Sequence, residues 1–268
     1  MKSLPTFHND ITTVPTAVAV PVSFTDQVNL DGMADAEGYR AIVDPNNNNV
    51  FSILSTKYKI MQHTEVLEKV EDSIAKHPEY GTPKRMITTV NGGARLRAKY
   101  TFPDIEVPIK DSKDLVNPQL EIRNGYDGMW GFGCLFGAFR LVCSNGLVIG
   151  EAVMQFKKKH YNPAQQFLMT DMLENSLEQF SMQTELWRGW VDNVLDVKQV
   201  ENTLESMQLR QKERNEIEEL SETHSHATVN TPDISQWILF NILTQYITHH
   251  VKSVQRQVEL ETRLRKVM

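Results

Sequence analysis

The chain has 268 residues, 40% of them hydrophobic and 23% charged, enough to bury a sizeable core as one large domain or as a domain with a helical appendage. A formal net charge of −6 excludes a surface coated in basic residues but not a local basic groove, because the sign varies along the chain. No apolar run reaches the roughly 20 residues needed to cross a bilayer, and the opening MKSLPTFHND lacks a charged-then-apolar leader, so a cytoplasmic protein without a membrane partner is expected.

In chain order, residues 1–38 read as an N-terminal arm or edge segment. Residues 39–43 look like a first strand, the polar run Asp44-Pro45-Asn46-Asn47-Asn48-Asn49 is hairpin-loop chemistry, and residues 50–54 are the return strand. Val66, Leu67, Val70 and Ile74 share one helical stripe, with His63 or Thr64 near its N-cap and Pro78 and Gly81 stopping it. Three strand-like runs follow at 86–90, 94–102 and 106–109, the first two joined by Asn91-Gly92-Gly93, residues that tolerate the positive φ a tight hairpin needs.

Residues 119–150 are the stretch around which the sheet is organised. They hold seven of the thirteen glycines and both cysteines. Residues 119–124 alternate, Gly125-Tyr126-Asp127-Gly128 is a turn, and a long apolar run from Met129 returns as the partner strand. Glycines inside such a run mark a bulge, a bend or a close backbone approach. Cys134 and Cys143 lie nine apart with no CxxC, which is the pattern of two reduced, buried thiols.

After Pro163 the spacing becomes helical. Residues 171–222 carry thirteen acidic residues against five basic ones, a pattern of solvated or partner-facing helices. Residues 221–230 form a polar linker, in which His224 and His226 lack a third ligand. One last helix is expected from Pro232 to the end. It turns cationic from Lys252 and invites an internal antiparallel pairing with the acidic helices or a subunit contact. The expected architecture is therefore α+β: an arm (1–38), a curved antiparallel sheet with a covering helix (39–162) and a helical C-terminal half (163–268).

Arg95, Arg97 and Lys99 project from one side of a single strand at about 7 Å intervals, a stripe able to track a phosphate backbone. Residues 76–99 hold six Lys or Arg against one Glu, and Lys157-Lys158-Lys159 follows the central hairpin. With Tyr126 and Trp130 at the hairpin tip as stacking rings, these cations are what single-strand binding requires. The expected nucleic-acid site is Lys84, Arg85, Arg95, Arg97, Lys99, Tyr126, Trp130, Lys157, Lys158 and Lys159. No GxxxxGK[ST], GxGxxG at a strand-to-helix junction, HExxH or GxSxG is present. Asp104, Glu106, Asp111 and Asp114 are better read as a solvated loop than as a divalent-ion site. No cofactor, metal or catalytic residue is expected.

Tyr58-x-x-Met61 before a helix, the Asp127-Gly128 turn, Arg140-Leu141-Val142-Cys143-Ser144-Asn145-Gly146 and the late Trp237-x-x-x-Asn241-x-x-Thr244-x-x-Ile247-x-x-His250 carry a resemblance. Over roughly residues 39–267 the chain resembles the phage- and plasmid-borne family catalogued as domain of unknown function 932. The resemblance implies a phage, prophage or plasmid setting, hence a host cytoplasm, and no particular chemistry. Its element order is similar to that of ring-forming single-strand annealing proteins, although the acidic helical half departs from that pattern and argues against strong duplex binding. Together these readings predict a phage-encoded, non-enzymatic, oligomer-forming protein that binds or anneals single-stranded DNA in replication or recombination. The alternative is an interaction protein that inhibits or remodels a host complex through its acidic helices.

Overall fold

The computed structural model describes residues 5–24, 34–111, 114–140, 145–147, 156–158, 176–223 and 234–268. Its centre is an antiparallel sheet built from β1 (Thr6–His8), β5 (Lys84–Val90), β6 (Arg95–Thr101), β8 (Leu115–Gly125), β9 (Phe132–Arg140) and β10 (Asn145–Leu147), in that order. Strand β7 (Val107–Pro108) pairs with β8, and β11 (Phe156–Lys158) pairs with β9. A smaller sheet comprises β2 (Val18–Phe24), β3 (Ala34–Val43) and β4 (Val50–Ser55). Of the two readings of the N-terminal stretch, β1 and β2 take that of an edge segment: β1 forms one edge of the large sheet and β2 one edge of the small one.

Helix α1 (His63–Ala75) follows the expected stripe and buries Val66, Leu67, Val70 and Ile74. These meet Leu96, Ala98, Tyr100, Leu120 and Ile122, the apolar side of β6 and β8, in one hydrophobic cluster. Fully burying such side chains contributes roughly 1.5–3 kcal/mol each. The Asn91-Gly92-Gly93 hairpin takes φ of 57°, 64° and 94°. A Cβ on Gly93 would stand 2.6 Å from Pro15 Cγ, so Gly93→Ala is expected to cost about 1–3 kcal/mol. Gly38, with φ of 88° and nothing within 4 Å of an added Cβ among the described residues, supplies the control: in denaturant titrations Gly38→Ala should report mainly the dihedral cost and come out smaller.

The C-terminal half contains α2 (Ser176–Asp192), α3 (Val197–Ser206), α4 (Gln211–Thr223), α5 (Gln236–Gln245) and α6 (Val254–Val267), with the two-residue strands β12 (Val194–Leu195) and β13 (Ile234–Ser235) pairing between them. Trp187, Trp190, Trp237 and Phe240 form its aromatic centre. The single last helix expected from sequence is instead two. Helix α5 passes through a π-helical turn (Tyr246–His250), Val251 becomes extended, and Ser253 caps α6 by accepting from Arg256 N. That break lets α6 turn back across the sheet. The linker histidines His224 and His226 lie outside the described residues.

The cationic helix does pair internally with the acidic ones. Arg256 donates to both oxygens of Glu213 at 2.9 and 2.6 Å, a bond that holds its guanidinium above the usual arginine range. Arg263 reaches the Met207 and Gln208 carbonyls at the end of α3. Glu201 and Glu218 are taken up by Arg214, and Glu216 by Lys212.

Candidate nucleic-acid interface

Alternation along β6 places Arg95, Arg97, Lys99 and Thr101 on the side opposite α1. The register then sets Arg97 across from Arg123, Lys99 from Glu121 and Thr101 from Gln119 on β8. This polar face is roofed by α6. At i, i+4 spacing, Gln257 and Glu261 turn down onto the cations, while Leu260 and Leu264 anchor the helix in the core.

The stripe is therefore present but not open. Arg95, Arg97 and Lys99 are each at least nine-tenths buried. Arg97 Nη2 donates to Glu121 at 2.7 Å and to both oxygens of Glu261 at 2.5 and 2.7 Å. Arg123 donates to Glu121 at 2.5 Å and to Glu261 at 2.9 Å. Burial opposes charge on both partners, yet the ion pairs win. Arg97 is held above the ordinary arginine range, and the Glu121 carboxyl well below the carboxylate range by Arg123, Arg97 and Lys99. Lys99 is different: its nearest carboxylate oxygen is 3.8 Å away, and burial, aided by Arg97, lowers its amine below the usual lysine value.

Tyr126 does not present the stacking ring expected of it. It is fully buried rather than at an exposed tip, stacked on His63 with ring centroids 3.8 Å apart. Its hydroxyl accepts from His63 N at 2.8 Å and donates to the Pro15 carbonyl at 3.0 Å. Burial raises that phenol above its ordinary value. Asn124 and the Gly93 carbonyl meet the two His63 ring nitrogens, and Tyr126 also packs on Phe51 of β4 with ring centroids 5.3 Å apart, so this interior cluster joins the small sheet to the large one.

Two clefts flank α6. The turn cleft, about 410 Å³, lies at the β8–β9 hairpin and is lined by Arg95, Arg123, Trp130, Arg263 and Lys266, with Glu259 as its carboxylate. The turn that presents Trp130 folds back so closely that a Cβ on Gly125 would meet the Trp130 carbonyl at 2.8 Å, which explains the glycine there. Met129 N donates to Asp127 Oδ1, and Asp127 Oδ2 also fixes Arg95 at 2.6 Å. The Arg95 guanidinium lies 5.7 Å from the Trp130 ring centre, within cation–π range. Trp130 is half-buried, whereas Trp187, Trp190 and Trp237 are 6% exposed or less.

The edge cleft, about 580 Å³, lies between β1, β5 and α6 and contains Lys84, Arg85, Arg97 and Lys99 together with Lys252. The expected residues thus divide between two clefts instead of lining one groove. Arg85 is exposed but engaged by Glu71 at 2.5 Å, a bond that raises its pKa. Lys157 and Lys158 fall on β11, in register with Gly133 and Phe132 beside the turn cleft. Lys159 and Cys143 lie outside the described residues. Cys134 is a buried thiol pushed up to about 12 by burial. Asp114, considered above as loop acid, accepts from Trp237 Nε1 at 2.9 Å.

Sequence reasoning missed Glu121, Arg123, Glu261, Arg263 and Lys266. The alternation Gln119, Glu121, Arg123 on β8 is a signal that could have found the first two. Among the described residues no group of His, Cys, Asp and Glu is arranged to hold a metal ion, and no helix is long and apolar enough to cross a membrane. No curated protein and no solved structure matches the chain. A family model does match, over residues 50–268, so more than half of the chain is covered, and the chain belongs to the family described as Domain of unknown function (DUF932).

Proposed function

We propose that the chain binds single-stranded nucleic acid without catalysing its conversion, in the replication or recombination of a phage or plasmid, and that it does so at the turn cleft. The observation that carries this reading is the partly exposed Trp130 ring in a cleft whose α6 rim carries Arg263 and Lys266, while Arg95 and Arg123 in its wall are already paired with Asp127, Glu121 and Glu261. An aromatic ring gives a base a stacking partner regardless of sequence, while Arg263 and Lys266 on the α6 rim offer contacts to phosphates. Strand β11 brings the Lys157-Lys158 backbone alongside. The buried stripe beneath α6 acts as the support for this rim and makes no contact with the strand.

The test is an anisotropy titration with a labelled dT oligomer. Trp130→Ala is expected to weaken binding roughly ten-fold or more, in line with about 1–3 kcal/mol per stacked base. Unchanged affinity would overturn the reading. The alternative of docking through acidic helices has less support, since Glu201, Glu213, Glu216 and Glu218 are held in internal ion pairs.

A further inference from the structure

Among the described residues, the polar face under α6 is not electrically balanced. Arg97, Lys99, Arg123 and Arg265 interact there with two carboxylates, Glu121 and Glu261, an excess of two positive charges in a place where water is scarce. Buried charge is retained when it is paired and hydrogen-bonded. Arg97 Nε and Arg265 Nη1 nevertheless find no hydrogen-bond partner among the described residues. Burial, with help from neighbouring cations, lowers both Lys99 and Arg265.

Part of this excess opens onto the edge cleft, through Lys99, whereas Arg123 and Arg265 do not line it. Arg97 and Lys99 form part of its wall, and Lys84 and Lys252 stand exposed at its rim with no ion pair among the described residues. Glu261 is the carboxylate lining it. Gln119, 3% exposed, also lines it. Its amide nitrogen donates to Thr101 Oγ1 at 2.8 Å, while its Oε1 finds no partner among the described residues. That oxygen calls for a hydroxyl or amine donor, which bare phosphate dianion does not supply. Phe7, 67% exposed, and Met86 give the same cleft an apolar lip.

From this constellation we infer that the edge cleft is a site for a phosphomonoester on a hydroxyl-bearing body, its dianion beside Lys99 between Lys84 and Lys252 and a ligand hydroxyl donating to Gln119. A phosphomonoester carries close to two negative charges at neutral pH, which suits a cleft where Lys84, Lys99 and Lys252 stand with Glu261 as the carboxylate. A free nucleotide or sugar phosphate and the 5′-phosphate end of a nucleic-acid strand share this chemistry. The site is separate from the Trp130 cleft and does not depend on it.

The experiment is calorimetric titration with a nucleoside 5′-monophosphate at constant ionic strength, with chloride as the reference anion, followed by competition between 5′-phosphorylated and 5′-hydroxyl dT oligomers. Saturable binding is expected, weakened at least ten-fold in the surface double variant Lys84→Ala/Lys252→Ala, whose fold is not at issue, and also in Lys99→Met. A monophosphate that competes equally with both oligomers identifies a free ligand, and preference for the phosphorylated oligomer identifies a strand end. No binding beyond chloride, or equal affinity in the double variant, overturns the site. Trp130→Ala separates the two proposals: it should leave monophosphate binding unchanged while oligomer binding falls, and a parallel loss of monophosphate binding would overturn the assignment to the edge cleft.

Discussion

Glu121→Gln is expected to lower stability by about 3–5 kcal/mol and the melting temperature by roughly 10 °C, because it removes one partner from a buried ion-pair cluster. Glu121 is fully buried and accepts from Arg97 and Arg123. Without its charge, Glu261 alone would face four cations. The same carboxyl dictates an acid limb. Its folded-state pKa is depressed, so its contribution is complete above the unfolded glutamate value of about 4.3 and is lost progressively as pH falls below it. Wild-type stability should therefore decline below about pH 4.5, and Glu121→Gln should show a shallower decline from a lower plateau. A change under about 1 kcal/mol, the range of exposed pairs, would mean that water enters beneath α6 and the face is not sealed.

Trp237→Ala is the second large effect, about 3–5 kcal/mol for emptying a buried aromatic site. Trp237 packs against Trp187 and Phe240 and donates to Asp114 beside the start of β8, so it joins the helical half to the sheet. Trp237→Phe keeps most of the packing but drops the donor, and should cost about 1–3 kcal/mol. Far-ultraviolet dichroism and tryptophan emission should shift together in both variants. A helical transition that separates from the sheet transition would show that the halves fold independently.

The hairpins were legible in the sequence because their turns are set by local chemistry. Asn91-Gly92-Gly93 and Asp44 to Asn49 name their own backbone conformations, and α1 announces its buried stripe. The alternation on β6 correctly placed Arg95, Arg97 and Lys99 together, but alternation reports which residues share a side and says nothing of what lies above it. The cover is α6, about 160 positions later, and the residues that engage the stripe, Gln255, Gln257 and Glu261, look in sequence like an ordinary solvated helix. The break at Val251 that aims α6 is not marked by Gly or Pro, so it escaped reading. Tyr126 misled for a related reason: a turn tyrosine beside glycines looks exposed until His63, more than sixty residues earlier, is found stacked on it.

The most direct measurement is the salt dependence of dT-oligomer binding by the wild-type chain. With the stripe locked under α6, Arg263 and Lys266 on its rim are the cations of the turn cleft placed to meet phosphates. The slope of log affinity against log salt should then be about −1.4, and Lys266→Ala should make it shallower by about 0.7. A slope steeper than about −4 would mean that the buried cations take part after all, and absence of binding at low salt would remove the nucleic-acid reading itself.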